Sequence, residues 1–177
     1  MMDNKGFKLR SEIVDYLVKE LKFIDYQGTT APMDIGMKQE MYAMLTLRND
    51  DFMICVRESE NTNRTYDNDI LNVMNEENVP NPNIVTNKHI DKIDVFAILH
   101  ELGHRHNNLI KEYETDYCDE LLRLQEDFMD NSITESEYNQ QYRHIPQERD
   151  ADLFACELMK NESFMKKLCK YINEKNI

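Results

Sequence analysis

An α+β fold, mostly helical with a small antiparallel sheet packed on a central helix, is predicted by three features of this sequence. Apolar residues recur at helical spacing in several separate segments. Two β-favouring runs flank a single turn-prone tripeptide. The 177-residue chain holds only four glycines and four prolines, a scarcity that suits a helix-rich globular protein. A chain of this length buries one ordinary core and divides poorly into two, so a single domain over 1–177 is expected.

From Lys8 to Tyr26, Leu9, Ile13, Leu17, Leu21 and Ile24, with Val14 and Val18 alongside, form the stripe of a helix packed on a core, which Gly28 ends. Met44-Leu45-Thr46-Leu47 and Phe52-Met53-Ile54-Cys55-Val56 flank Asn49-Asp50-Asp51 and predict a hairpin. Residues 58–83 are rich in Asn, Asp and Glu and should lie outside the core, apart from a short helix around Ile70 to Met74. Ile84-Val85 suits a short strand. The central helix is expected over Asp91 to Leu109, with Ile93, Phe96, Ala97, Leu99 and Leu102 as its apolar residues. A third helix should span Tyr113 to Met129, with Leu121, Leu122, Leu124 and Phe128 facing inward. Thr134 and Glu137 have the spacing of a capping box, and Ile133 with Tyr138 that of its hydrophobic staple, so another helix starts there. Pro146 suits the first turn of a helix running to about Lys160, and Phe164, Leu168 and Ile172 mark a terminal one.

A net charge of -13 opposes contact with nucleic acid or anionic lipid, because the bare field repels phosphates. The densest basic group, Lys166-Lys167 with Lys170, reads as a solvated helix face. No long uncharged apolar run suggests a membrane span, and the charged amphipathic start lacks the apolar stretch of a secretory signal. Cys55, Cys118, Cys156 and Cys169 are widely spaced and form no Cys-x-x-Cys pair, which reads as buried thiols in a reducing compartment. A cytoplasmic location is therefore expected. The eleven methionines lie along apolar stripes and read as core filling.

Chemistry concentrates in His100-Glu101-Leu102-Gly103-His104. Two histidines four positions apart project from one helical face, so His100 and His104 can hold a single ion through imidazole nitrogens at ~2.0–2.1 Å. Glu101 lies one residue round the helix, within reach of a water on that metal without being a ligand. A third ligand is expected from Glu148-Arg149-Asp150-Ala151-Asp152. Glu148 and Asp152 are again four apart: Glu148 is assigned to the metal and Asp152 to a hydrogen bond that fixes a ligating imidazole, with Asp150 as the fallback ligand. Gly103 would let another strand or loop approach the helix. His106 should face away from the metal, and His89 has no ligand spacing.

These motifs, Ile98-Leu99-His100-Glu101-Leu102-Gly103-His104 followed by Glu148-x-Asp150-Ala151-Asp152-x-Phe154-Ala155-x-Glu157-Leu158-Met159, resemble those of the ImmA/IrrE-type metallopeptidases. Ile84-Val85-Thr86-Asn87 resembles that family's edge strand, and the likeness covers about Phe52 to Met159. It implies a zincin-like fold, one zinc per chain, and cleavage of a protein, typically a repressor encoded on a mobile element or in a stress circuit. Asp150 and Asp152 stand where the family usually has Glu and Asn, and no helix-turn-helix segment is attached. The interval from His104 to Glu148 is long, which suggests an inserted helical hairpin over 113–143.

Three protein ligands leave one position for water, whose pKa can fall to ~7, and Glu101 would take its proton. Tyr142, Arg143 and His144 precede the third-ligand helix and are the candidate stabilisers of the oxyanion. The expected partner is a protein or peptide substrate, a regulatory protein, with no direct nucleic-acid binding and no membrane. The rival expectation is a zinc-containing protein without catalysis that acts by docking its hairpin on a partner.

Overall fold

A computed structural model of the chain describes residues 5–30, 43–48, 51–56, 67–80, 90–106 and 114–175. Seven helices and three strands are found among them. The first helix, α1 (Lys5–Glu20), places Leu9, Ile13, Val14 and Leu17 at complete burial, as their helical spacing requires. It stops earlier than its stripe predicts. Lys22 adopts φ 62, Lys22 N–H bonds to Lys19 O and Phe23 N–H to Val18 O, the pairing of a Schellman cap. Ile24 is consequently 99% exposed, and Tyr26–Thr30 is not helix but strand β1, with Gly28 inside it.

Strands β2 (Ala43–Arg48) and β3 (Asp51–Val56) pair antiparallel from Ala43–Val56 to Arg48–Asp51, as the hairpin reading expects; residues 49–50 lie outside the described residues. The sheet is nevertheless not the antiparallel one predicted. Its order is β1-β3-β2, and β1 runs parallel to β3. The reason is topological: β2 takes one edge of β3 antiparallel, and β1 fills the other edge in the direction of β3. Phe52, Ile54 and Val56 alternate into the core, the period-two pattern of a strand.

Helix α2 (Asp67–Glu76) buries Ile70 and Met74, then closes through Asn78 at φ 54 with a second Schellman pairing. Helix α3 (Lys92–His106) is the centre of the molecule: its residues from Ile93 through His100 are all buried, with Leu102 and Gly103 beyond. It packs on α6 (Pro146–Lys160), β2 and β3. Residues 107–109, the rest of the predicted span, lie outside the described residues, as do Ile84-Val85-Thr86-Asn87 and His89.

The start of α3 is doubly tied. Asp91 Oδ1 accepts from Ile93 N–H at 2.9 Å and Asp94 N–H at 3.0 Å, while Asp94 Oδ2 accepts from Asp91 N–H at 3.2 Å, a reciprocal cap that satisfies otherwise orphaned donors. Asp94 Oδ1 also accepts from Arg10 Nε at 3.0 Å, with both side chains almost wholly buried. This pair joins α1 to α3. Asp94→Ala is expected to cost about 3–5 kcal/mol, because it removes the carboxylate from a buried ion pair and half the cap. Urea unfolding checks this as a lowered midpoint at unchanged slope. A loss below about 1 kcal/mol, the range of exposed pairs, would contradict the burial of this one.

Helices α4 (Glu114–Met129) and α5 (Glu135–His144) pack on each other. The capping box forms: Thr134 Oγ1 accepts from Glu137 N–H at 3.3 Å and Glu137 Oε2 accepts from Thr134 N–H at 2.8 Å. The predicted inward face of α4 needs correction. Leu124 is buried, but Leu122 and Phe128 are exposed, as is Met129, so the stripe that points inward runs through Tyr117, Leu121 and Leu124. Pro146 opens α6 as expected, and α7 (Glu162–Glu174) closes the core with Phe164, Leu168 and Ile172. All four cysteines are free thiols; Cys55 and Cys156 are buried, whereas Cys118 is exposed on α4, contrary to the expectation of burial.

Candidate metal centre

Helices α3 and α6 come together at Gly103. A Cβ there would lie 3.0 Å from both Cα and O of Ala151, so the missing side chain lets two helical backbones nearly touch. The partner is a helix, not the strand or loop expected. This close approach brings the second motif against the first.

His100, His104 and Glu148 form a buried triad, with one potential ligand atom from each within 4.8 Å of the others. His100 Nε2 lies 3.1 Å from His104 Nε2 and 3.1 Å from Glu148 Oε2, and His104 Nε2 lies 3.6 Å from Glu148 Oε1. The two imidazoles are perpendicular. Ligand atoms bound tetrahedrally at ~2.0–2.1 Å sit roughly 3.3 Å apart, so this spacing fits one ion between them. Two further observations support the fit. Glu148 Oε2 is buried with the His100 ring facing it at 3.1 Å, a place where a carboxylate oxygen calls for a cation, either a metal or the protonated imidazole. Two imidazoles with one carboxylate are also the donor set of catalytic zinc sites. The group could hold a metal ion, and it is consistent with an H-E-x-x-H type of site.

Asp152 stands behind the triad as expected: its Oδ1 lies 2.8 Å from His100 Nδ1, which turns Nε2 toward the triad. The same oxygen accepts from Arg143 Nη1 at 2.8 Å. Arg143, one of the candidate oxyanion donors, is thereby placed on Asp152 behind the triad. The His144 ring is exposed, its Nδ1 lies 2.6 Å from Gln140 O, and it lines a surface groove with Arg123, Leu124 and Ile145. Tyr142 does reach the centre, and Glu148 and Tyr117 are among the groups acting on its hydroxyl. Asp150 is exposed and outside the triad. His106 is exposed too, its ring stacked on Phe154.

Tyr117 is the site residue that sequence reasoning missed. Its hydroxyl donates to Glu148 Oε1 at 2.7 Å from α4. The available signal was its place at the head of the Tyr117, Leu121, Leu124 stripe, where a polar tip on an inward face needs a buried acceptor. Burial first, then the Glu148 charge, raises both phenols, Tyr117 and Tyr142, above their ordinary value, so they stay protonated donors. Burial similarly pushes the Cys156 thiol up to about 12, which keeps it out of thiolate chemistry at neutral pH.

Burial alone would lower the His100 imidazole, but its two ring nitrogens face the Asp152 and Glu148 carboxylates, whose acceptor oxygens and charges lift it to about 10. Burial would raise Glu148, yet His100 and His104 hold its carboxyl far below the usual carboxylate range. Without metal, His100 is thus a cation between two carboxylates at neutral pH. A folded-state value above the ordinary 6.5 contributes stability that is complete below pH 6.5 and lost as pH rises through about 10. The melting temperature of metal-free protein is expected to fall across that window. A metal ion bound at His100 Nε2 would have to displace a proton from that ring, so metal affinity should rise there. Chelator competition at several pH values reads this directly, and a flat affinity would contradict the placement of His100.

No protein-family model matches the chain, and neither any curated protein nor any solved structure does. Among the described residues no helix is long and apolar enough to cross a membrane.

Proposed function

We propose that this chain is a zinc-dependent metallopeptidase, with one zinc per chain, that cleaves a specific cytoplasmic protein, a repressor or other regulator. The carrying observation is the position of Glu101 beside the triad. It sits on α3 next to His100, half-buried, and its charge acts on the hydroxyls of both Tyr117 and Tyr142, the phenols that face Glu148. A metal held only for structure has no use for a carboxylate in that place.

Zinc, when bound, supplies Lewis acidity and a water nucleophile at neutral pH. Glu101 takes the proton of the attacking water and passes it to the leaving amine. Asp152 keeps the His100 ring in the orientation that presents Nε2. Tyr142, held protonated beside Glu148, is a candidate donor for the developing oxyanion. The resemblance of both motifs to the ImmA/IrrE-type peptidases supports a protein substrate, and the net charge of -13 disfavours a nucleic acid.

One observation favours a second reading, a zinc-containing regulatory protein that binds through its hairpin: Leu122 and Met129, seven apart on one face of acidic α4, are both exposed. The two readings separate in one assay. Zinc-loaded protein is incubated with the products of neighbouring genes, with and without chelator. Discrete fragments that disappear with chelator support the peptidase; stoichiometric zinc with tight binding and no cleavage supports the binding protein.

A further inference from the structure

The hairpin is more than an appendage beside the site. Glu148 is 1% exposed and offers two oxygens, which the structure treats differently. Oε1 accepts the Tyr117 hydroxyl at 2.7 Å. Oε2 faces His100 Nε2 at 3.1 Å. A carboxylate on a flexible stem has no intrinsic preference for this division. Here it is imposed by a donor from α4, an element separate from the two that carry the ligands.

We propose that Tyr117 is a positioning residue that ties Oε1 of Glu148 to α4, leaves Oε2 facing His100, and so makes the helical hairpin part of the metal centre. This rests on the reading of the triad as a metal site. Its consequence follows from linkage: if docked hairpin and bound metal share Glu148, each stabilises the other by the same free energy. Zinc should order the hairpin, and a hairpin held away from Glu148 should weaken zinc. A partner or substrate that engages α4 would then reach the metal through a single hydrogen bond.

The test compares the full-length wild type with Tyr117→Phe, which keeps the ring and deletes only the donor. Zinc affinity is measured by competition with a chromophoric chelator. Hydrogen exchange of 114–143 is followed with and without zinc. Tyr117→Phe should lose about 10- to 100-fold in zinc affinity, the usual effect of removing a partner of a metal ligand. Exchange in the hairpin should slow on zinc addition in the wild type and respond much less in the variant. Leu121→Ala, which trims the same helix without touching the hydroxyl, provides the control for packing and should keep the zinc-dependent slowing. Wild-type zinc affinity in Tyr117→Phe would overturn the proposal, and so would a hairpin whose exchange ignores zinc. A wild type that binds no zinc would bring down the metal-site reading itself, a distinguishable result.

Discussion

Glu101→Gln is expected to leave zinc binding intact and to lower substrate cleavage by about 100- to 10,000-fold, the range a positioned general base contributes. The amide preserves the size of the side chain and most of its polar contacts but cannot accept the proton from water. Because Glu101 is not one of the three triad residues, the metal content of the variant should match that of the wild type. The informative comparison is therefore between two measurements on one sample, metal per chain and rate. Undiminished cleavage would remove Glu101 from the mechanism; lost zinc would mean that it serves as a ligand.

The second large effect is expected at Glu148. Glu148→Ala deletes the carboxylate of the triad, so zinc affinity should fall by more than the roughly 10- to 100-fold that loss of an outer partner costs. It also strips the acceptor from Tyr117 and one of the two carboxylates that hold His100 charged. The metal-free variant should in consequence lose part of the stability that the wild type shows below pH 6.5, since the raised His100 value would move back down. Titration of zinc into wild type and variant under one chelator checks the first point, and melting curves at two pH values check the second. Unchanged zinc affinity in Glu148→Ala would assign the third ligand elsewhere.

The residues of the triad were legible before any coordinates because their constraint is local. His100 and His104 must share a helical face at a spacing of four, and Glu148 and Asp152 repeat that spacing on a second helix opened by Pro146. The caps were legible for a similar reason: Thr134 and Glu137 satisfy each other across a single turn. What escaped depends on partners distant in sequence. Strand β1 has Tyr, Gln, Gly and two Thr, too short and too polar to announce itself, and it exists because β3 offers it a free edge. The apolar stripe that appeared to carry α1 through Ile24 continued past a helix that Lys22 had already capped. On α4, four apolar residues shared the same helical pattern, and only the surrounding elements decide that Leu124 is buried while Leu122 stays out and the half-exposed Phe128 meets Tyr138 of α5. Tyr117 escaped because nothing near it in sequence says that its acceptor is Glu148. Arg143 was noticed because it precedes the third-ligand helix, but its bond to Asp152, one helix further on, could not be read there.

The claim beneath all of this is that His100, His104 and Glu148 grip one cation together. X-ray absorption at the zinc edge, on protein loaded with zinc and dialysed, tests it most directly alongside metal analysis. The expected result is one zinc per chain, with two imidazoles and oxygen in its first coordination sphere, and loss of that signal in the His100→Ala, His104→Ala double variant. Full zinc content in the double variant, or a coordination sphere without imidazole, would contradict it.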